Sequence, residues 1–312
     1  MISVPQRIVS LLPSSTEILC ALGMRERLVG VSHECDYPAD VIGLPTLTEP
    51  QLDPHGLSGE IDTRVRQIVQ EGLSVYRIKT DVLQSLQPDL IVTQDQCDVC
   101  AVSLPEVEEA VRCFLTPGVK VVSLKPQRLG DIWEDMRHVA RATEREDAAE
   151  EVLRGLKRRL WKLEQQTRHL PRPRVACIEW IEPLIAAGNW VPELLEIAGG
   201  EYALSGAGAH SPVMTWDALV AYQPEVLVLM PCGFPIAQTQ RELSALMTQP
   251  QWNALPAVKT NRVFIVDGNA YLNRPGPRIV DSAEILAEIL HPDACAGCAP
   301  VGAYVRVVVS SQ

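Results

Sequence analysis

A stretch that occurs twice decides the fold of this chain. Residues 87–92 read Gln-Pro-Asp-Leu-Ile-Val, and residues 223–228 read Gln-Pro-Glu-Val-Leu-Val. In both copies a proline and an acid precede a short apolar run, which is typical of a buried parallel strand. Two further pairs of similar segments recur in the same order along the chain: 7–11 with 174–178, and 16–23 with 192–199. This order predicts two similar α/β lobes, with the general likeness of α/β sequences as the alternative.

Between the two copies the apolar residues recur at helical spacing from residue 129 onward, until Pro171 ends the pattern. With a break near Thr143, the part from about residue 145 forms one helix of roughly 35 Å. We therefore predict four segments: an N-terminal α/β lobe over 1–128, a connecting helical segment over 129–171, a C-terminal α/β lobe over 172–293 and an appended tail over 294–312.

The composition excludes several classes of protein. The 312 residues include 28 Lys and Arg against 39 Asp and Glu, so that the formal net charge is −11. Nucleic-acid-binding and polybasic membrane-surface proteins carry a basic face instead. No apolar run reaches the roughly 18–20 residues that cross a bilayer. The GxSxG, GxxxxGK(S/T) and HExxH motifs are absent, and their absence predicts a non-catalytic protein.

The start of the chain and its cysteines predict the location. Residues 1–5 carry no positive charge, and the first apolar run stops at Pro13, unlike the apolar region of a secretory signal. The nine cysteines are an odd number, which favours a reducing compartment over a disulfide framework. We therefore expect a cytoplasmic protein, or a periplasmic one if the printed chain is a processed form.

Ligands of open parallel sheets bind at the carboxyl ends of the strands, so the residues that follow the predicted strands are the candidate ligand-binding residues. They are Pro13, Ser14, Ser15, Glu34, Asp36, Tyr37, Gln94, Glu179, Trp180, Glu182, Asn189, Trp190, Pro231 and Arg274. Trp180 and Trp190 offer flat apolar surfaces that suit a large planar ligand, and Arg274 can clamp an anionic group. The alternatives are a helix N-cap role for Ser15 and core packing for the two tryptophans.

Three cysteines and a histidine form a candidate metal site. Cys35 follows the second predicted strand, while Cys97 and Cys100 follow a later strand of the same lobe. Because both loops leave the same edge of a parallel sheet, the thiols can converge, with His33 or a neighbouring acid as the fourth ligand. Such a set suits zinc, and it equally suits iron or copper. The alternative is that Cys97 and Cys100 are reduced thiols without a ligand.

The segments quoted above carry a resemblance to a known family together with two others. These are Asn-Trp-Val-Pro-Glu-Leu-Leu-Glu-Ile-Ala-Gly-Gly at 189–200 and Arg-Pro-Gly-Pro-Arg at 274–278. Over residues 5–293 the chain resembles the vitamin B12 and iron-siderophore substrate-binding proteins of ABC importers, closest to a leaderless branch with a Cys-x-x-Cys. The resemblance implies two Rossmann-like lobes bridged by a single long helix, the class III fold of helical-backbone metal-chelate receptors. It also implies that cobalamin, another corrinoid or a related metal chelate is held in the cleft between the lobes.

The same resemblance implies an ABC permease as the partner. Family members dock through one acidic residue per lobe, and the matching positions are Asp81 and Asp217, each one methylene shorter than the usual Glu. The cysteines leave a second function open: a cytosolic metal-thiolate sensor, chaperone or unassigned enzyme that uses Cys35, Cys97 and Cys100. In a corrinoid-binding protein the same thiolates can instead face the cobalt.

Overall fold

The structure is a computed structural model that describes residues 4–71, 73–95, 102–115 and 118–308. The chain divides into two compact units. Unit 1 comprises Met1–His55, Thr63–Pro126 and Gly130–Gly155, and unit 2 comprises Gly56–Asp62, Gln127–Leu129 and Leu156–Gln312. Both units are α/β folds built around a sheet whose central strands are parallel.

The strands described in unit 1 are β1 (Ile8–Ser10), β2 (Leu28–Val31), β3 (Thr48–Pro50), β4 (Tyr76–Ile78), β5 (Leu90–Gln94) and β6 (Lys120–Leu124). Its sheet has the order β2-β1-β5-β6, and all its neighbouring strands are parallel. Strands β3 and β4 form a separate antiparallel pair. The helices are α1 (Pro13–Ala21), α2 (Ser58–Gln70), α3 (Thr80–Leu86), α4 (Leu104–Phe114) and α5 (Leu129–Thr143). The first residues of α2 and of α5 belong to unit 2.

The segment predicted to connect the lobes contains two helices, α5 and α6 (Glu146–Thr167). Glu144 between them has a φ of 53°, a left-handed conformation that ends α5. Helix α6 has 22 residues and is therefore about 33 Å long. Its first residues belong to unit 1 and the rest to unit 2. Among the described residues no helix combines the length and the apolar character needed to cross a membrane.

Unit 2 contains the strands β7 (Val175–Trp180), β8 (Ile185–Ala186), β9 (Val226–Leu229), β10 (Val263–Val266) and β11 (Tyr304–Arg306). Its sheet has the order β11-β10-β9-β7-β8, with parallel central strands and an antiparallel strand at each edge. The remaining helices are α7 (Val191–Ile197), α8 (Trp216–Tyr222), α9 (Ile236–Met247), α10 (Pro256–Lys259) and α11 (Ile279–Leu290). The segment predicted as an appended tail contributes β11, which pairs with β10.

The duplicated stretch performs the same task in both units. Asp89 accepts hydrogen bonds from the backbone N–H groups of Gln6 and Arg7, at 2.7 and 3.0 Å. In unit 2, Glu225 accepts one from the N–H of Arg174 at 3.0 Å. The acid at the start of one strand therefore holds the beginning of the neighbouring strand, which explains why an acid stands at this position in both copies.

The helices that precede the duplicated strands are also equivalent. Helices α3 and α8 each have seven residues, and each ends at a glutamine in the left-handed conformation. The φ angles are 42° at Gln87 and 53° at Gln223. This ending turns the chain sharply into β5 in unit 1 and into β9 in unit 2. The two units are thus built from the same succession of helix, turn and strand.

Candidate functional site

The turn from β1 into α1 is held by buried hydroxyl groups. Ser15 is fully buried, with its Oγ atom 2.5 Å from Ser10 Oγ, and it donates to the carbonyl oxygen of Leu12 at 3.0 Å. Leu12 is the N-cap residue, and no side chain caps this helix end. Ser15 is therefore not the N-cap residue, and its hydroxyl forms hydrogen bonds inside unit 1. Ser14 is buried as well, and the half-buried Pro13 begins α1.

His33 follows β2 at the carboxyl edge of the unit 1 sheet and is exposed. Its Nδ1 atom lies 2.7 Å from Thr48 Oγ1, and its ring centroid lies 5.3 Å from that of Tyr76. Desolvation of the ring, reinforced by the nearby Lys79 ammonium, lowers the pKa of His33 below its ordinary value. The neutral imidazole is therefore favoured, and its Nε2 atom has no hydrogen-bond partner among the described residues.

Other candidate residues of unit 1 share the carboxyl edge of this parallel sheet. Glu34 accepts a hydrogen bond from the Tyr76 hydroxyl at 3.3 Å. Asp36 and Tyr37 are exposed in the same loop, whereas Gln94 is buried at the end of β5. The structure thus places the predicted loop residues at the same edge as His33.

The predicted cysteine cluster lies largely outside the described residues, because Cys97 and Cys100 belong to the undescribed range 96–101. Cys35 is buried, and its sulfur lies 3.1 Å from Thr16 Oγ1. In the part of the chain that the structure describes, no group of three or more His, Cys, Asp or Glu residues could hold a metal ion. The metal site at Cys35, Cys97, Cys100 and His33 stays a prediction.

Trp180 ends β7 at the carboxyl edge of the unit 2 sheet and is half-buried. Its Nε1–H donates to the carbonyl oxygen of Glu182 at 3.0 Å. Phe234 packs against the indole nearly edge-on, with 5.1 Å between the ring centroids and 62° between the planes. These two contacts hold the indole in one orientation while part of its surface stays exposed. Pro231, in the loop that follows β9, is buried.

Glu179, one residue before Trp180, organises the neighbouring loops. Ser211 donates to its Oε2 atom at 2.8 Å, and the Gly188 backbone also hydrogen-bonds to its carboxyl group. Burial raises the pKa of Glu179 above its ordinary value, against the effect of these hydrogen bonds. Asn189 continues this loop with a φ of 52° and donates its N–H to the Ala209 carbonyl at 2.7 Å. Glu179 therefore supports the loop between β8 and α7.

Two predicted ligand residues of unit 2 are engaged inside the unit. Trp190 is only 5% exposed, and its Nε1–H donates to the Leu272 carbonyl at 2.7 Å. These observations favour the alternative of core packing for Trp190, and its contact with a planar ligand stays a prediction. Arg274 is buried, and its guanidinium donates to Asn269 Oδ1 at 3.0 Å. This bond orients the Arg274 side chain within the loop that follows β10.

The two predicted docking residues occupy equivalent positions. Asp81 and Asp217 are both exposed, and each is the second residue of its seven-residue helix, α3 or α8. Gln251 donates to Asp217 Oδ1 at 3.2 Å. A cavity of about 370 Å³ in unit 2 is lined by the exposed Glu182 and by Trp216, the residue before Asp217 in the sequence, together with other polar and apolar side chains.

Sequence reasoning missed the residues that orient His33 and Trp180. Thr48 lies 15 residues from His33, and Phe234 lies 54 residues from Trp180. No periodic pattern marks Thr48. Phe234 comes three residues after Pro231 in the same loop, so inspection of a longer stretch after β9 would have included it.

Comparisons with known proteins show which family and which solved structures this chain is similar to. The sequence model of the periplasmic binding protein family matches residues 8–270. An uncharacterized ABC transporter substrate-binding lipoprotein, YvrC of Bacillus subtilis, is 23% identical over 93% of this chain and 81% of its own length. The vitamin B12-binding protein of Vibrio parahaemolyticus is 25% identical over 89% of this chain and 86% of its own. A periplasmic heme-binding protein from Pseudomonas aeruginosa superposes with a TM-score of 0.71 at 19% identity, covering 93% of this chain and 94% of that structure.

Because the family match extends over most of its length, this chain belongs to the periplasmic binding protein family. The solved structures share its fold, which confirms the predicted fold class and the resemblance. The comparisons do not support the alternative of a metal-thiolate sensor or an unassigned enzyme.

The expected cytoplasmic location is wrong. The matching family consists of periplasmic binding proteins, and the Bacillus subtilis relative is named a lipoprotein. The expectation rested on the first residues of the printed chain and on an odd number of cysteines. Neither feature describes where a binding protein of this family acts.

Proposed function

We propose that this chain is the substrate-binding component of an ABC importer and that it binds a metal tetrapyrrole, either a corrinoid such as cobalamin or a haem. The family match and the names of the relatives support the class of protein. The position and chemistry of His33 carry the proposal about the ligand. No catalytic step is needed, since binding and release of the chelate make up the whole function.

His33 has the properties of an axial ligand to a chelated metal. An imidazole binds a metal through a neutral nitrogen, and the lowered pKa of His33 favours that form near neutral pH. The contact between Nδ1 and Thr48 orients the ring, which is how partners of the second nitrogen commonly position metal-bound histidines. Nε2 then faces the ligand. Cobalt in a corrinoid and iron in a haem both offer an axial position, so the site suits this class of ligand.

Within unit 2, Trp180 is by itself a candidate contact for a macrocycle. A macrocycle exposes a large apolar face, and a fixed half-buried indole gives it a flat partner of matching polarity. The exposed loop residues Asp36 and Tyr37 of unit 1 offer polar contacts to side chains of the macrocycle.

Titration of the purified apoprotein tests this proposal. Aquocobalamin, haemin and a ferric hydroxamate siderophore are added separately, and binding is followed by tryptophan fluorescence and by the visible spectrum of each chelate. We expect at least one tetrapyrrole to bind with a Kd of about a micromolar or less. We also expect the hydroxamate to bind much more weakly, because it offers no open axial position. Folded protein that binds only the siderophore, or none of the three, would overturn the proposal.

We further propose that Asp81 and Asp217 dock the loaded protein on the permease. Both carboxylates are exposed in the first turn of a helix, at equivalent places in the two units. Basic side chains on a membrane partner can pair with them, and reversing their charge would place like charges opposite one another.

Charge reversal should therefore abolish transport and leave chelate binding intact. In cells that depend on this chain for uptake of a labelled chelate, we expect the double variant Asp81→Lys/Asp217→Lys to lower uptake at least tenfold. Its Kd for the chelate should stay unchanged. Glu151→Lys, at an exposed position of α6, is the control and should transport normally. Normal uptake by the double variant would exclude these residues from docking.

A further inference from the structure

The cysteines at the end of α11 form a pair that the proposed binding function does not use. Cys295 is buried and Cys298 is partly exposed, and both are free thiols. The N–H of Cys298 donates to the Cys295 carbonyl at 3.1 Å, which closes a four-residue turn. Gly297 inside the turn has a φ of 76°, a conformation that glycine adopts without strain. The two α-carbons of such a turn lie within about 7 Å, a separation that a disulfide can bridge.

We propose that Cys295 and Cys298 are a dithiol that closes to a disulfide by exchange with a small-molecule disulfide such as oxidised glutathione. The turn already brings the two residues within reach of a disulfide, so little movement separates the reduced from the oxidised pair. A metal offers no competing explanation within the described residues, where no group of three or more potential ligands surrounds these sulfurs. The family's location also fits, because disulfides persist outside the cytoplasm.

The exchange proceeds in two balanced steps. Cys298, the more accessible thiol, loses its proton to solvent, and its sulfur attacks glutathione disulfide. A mixed disulfide forms while one glutathione thiolate leaves. Cys295 then loses its proton and attacks the Cys298 sulfur, which releases the second glutathione. Two protein thiols are oxidised, and one glutathione disulfide is reduced to two thiols.

The surroundings predict a stable disulfide that forms slowly. Burial, with the nearby Cys298, raises the pKa of Cys295 to about 11, and burial with Glu284 and Glu288 raises that of Cys298. Because the thiolate is the attacking species, oxidation should accelerate as the pH rises. In strongly oxidising pairs, low thiol pKa values stabilise the reduced form. The pKa values of Cys295 and Cys298 are raised instead, which favours the disulfide form of this pair.

The disulfide would secure the connection between α11 and the edge strand β11. Glu288 of α11 accepts hydrogen bonds from the Ala299 N–H at 2.9 Å and from the Tyr304 hydroxyl at 3.0 Å. The turn lies directly before these contacts, and β11 then pairs with β10. Closing the turn covalently therefore holds the last described strand of unit 2 against the rest of the sheet.

The test is thiol mapping on the full chain. The protein is equilibrated at pH 8 in a series of reduced-to-oxidised glutathione ratios, quenched with acid, alkylated under denaturing conditions and digested for mass spectrometry. In the peptide that contains Cys295 and Cys298, we expect two alkylated sites under reducing conditions. Under oxidising conditions we expect no alkylated site in this peptide. Its mass should then be lower by two hydrogens than the mass of the unalkylated dithiol peptide. Other cysteine-containing peptides are scored separately, with the exposed single thiols Cys113 and Cys232 as internal controls.

Two variants make the test decisive. Cys295→Ser should leave Cys298 as a glutathione adduct, because the resolving thiol is gone. Cys298→Ser should leave the buried Cys295 unmodified under the same conditions. Limited proteolysis of the oxidised native chain should cleave the segment after Cys298 at least several times more slowly than in the reduced chain. Two alkylated sites at every glutathione ratio, with both variants folded, would overturn the proposal.

Discussion

Replacing Trp252 with alanine is expected to lower the free energy of unfolding by about 3–5 kcal/mol, the range for removal of a large buried aromatic side chain. Trp252 is 1% exposed and belongs to the core of unit 2 together with Leu246 and Leu255. Its ring also packs edge-on against Trp216, with 6.5 Å between the centroids. Urea denaturation followed by far-ultraviolet circular dichroism measures the loss, because the signal does not depend on the removed indole.

Trp252→Phe is the matched control. The buried Nε1 atom of Trp252 has no hydrogen-bond partner among the described residues, and an unsatisfied buried donor costs free energy. Phenylalanine removes that donor and fills much of the space, so we expect a loss of less than about 2 kcal/mol. Equal destabilisation by phenylalanine and by alanine would show that filling this space does not stabilise unit 2.

Replacing His33 with alanine is expected to weaken binding of the tetrapyrrole at least tenfold and to shift its visible absorption bands. The reason is the loss of the proposed axial ligand to the metal, which changes both affinity and the electronic spectrum of the chelate. His55→Ala is the control, because His55 is an exposed histidine in a different loop of the chain. An unchanged spectrum with His33→Ala would remove this residue from the site, even if the native protein binds the chelate.

The pH dependence of binding gives a separate check on His33. Its pKa is lowered from the ordinary value of about 6.5, so the neutral imidazole is the major form at that pH and above it. Affinity should therefore change little between about pH 8 and pH 7 and should fall mainly below about pH 6.5, where the ring takes up a proton. In the His33→Ala variant this fall should disappear. A decline that begins above pH 7 would point to another group.

Much of the architecture could be predicted because it depends on local pattern. The proline, the acid and the apolar run at 87–92 and at 223–228 begin β5 and β9, and the order of these repeats predicted two α/β units. Short apolar runs that alternate with helical segments favour a parallel sheet wherever they occur. Ligands of such sheets bind at the carboxyl ends of strands, so the same reasoning led to the loops after β2 and β7.

The roles of individual side chains in those loops could not be predicted. Trp180 and Trp190 stand in similar sequence surroundings, yet one is half-buried at a strand end while the other donates to Leu272, 82 residues away. Burial and the identity of a hydrogen-bond partner depend on segments distant in the chain. A single sequence contains no signal that pairs Trp190 with Leu272, and the same is true of His33 with Thr48.

The repeated strands, the class of fold and the sheet edge at which the candidate residues lie follow from residue order, because strand formation and buried apolar runs are properties of neighbouring residues. Other features arise only when distant segments pack together. Glu242 is buried because it accepts hydrogen bonds from the N–H and the hydroxyl of Ser58, at 2.5 and 3.1 Å, across 184 residues. The segment predicted as a tail similarly contains β11, because its backbone pairs with the edge of β10. Folding supplies such partners, and a buried polar group without one costs free energy.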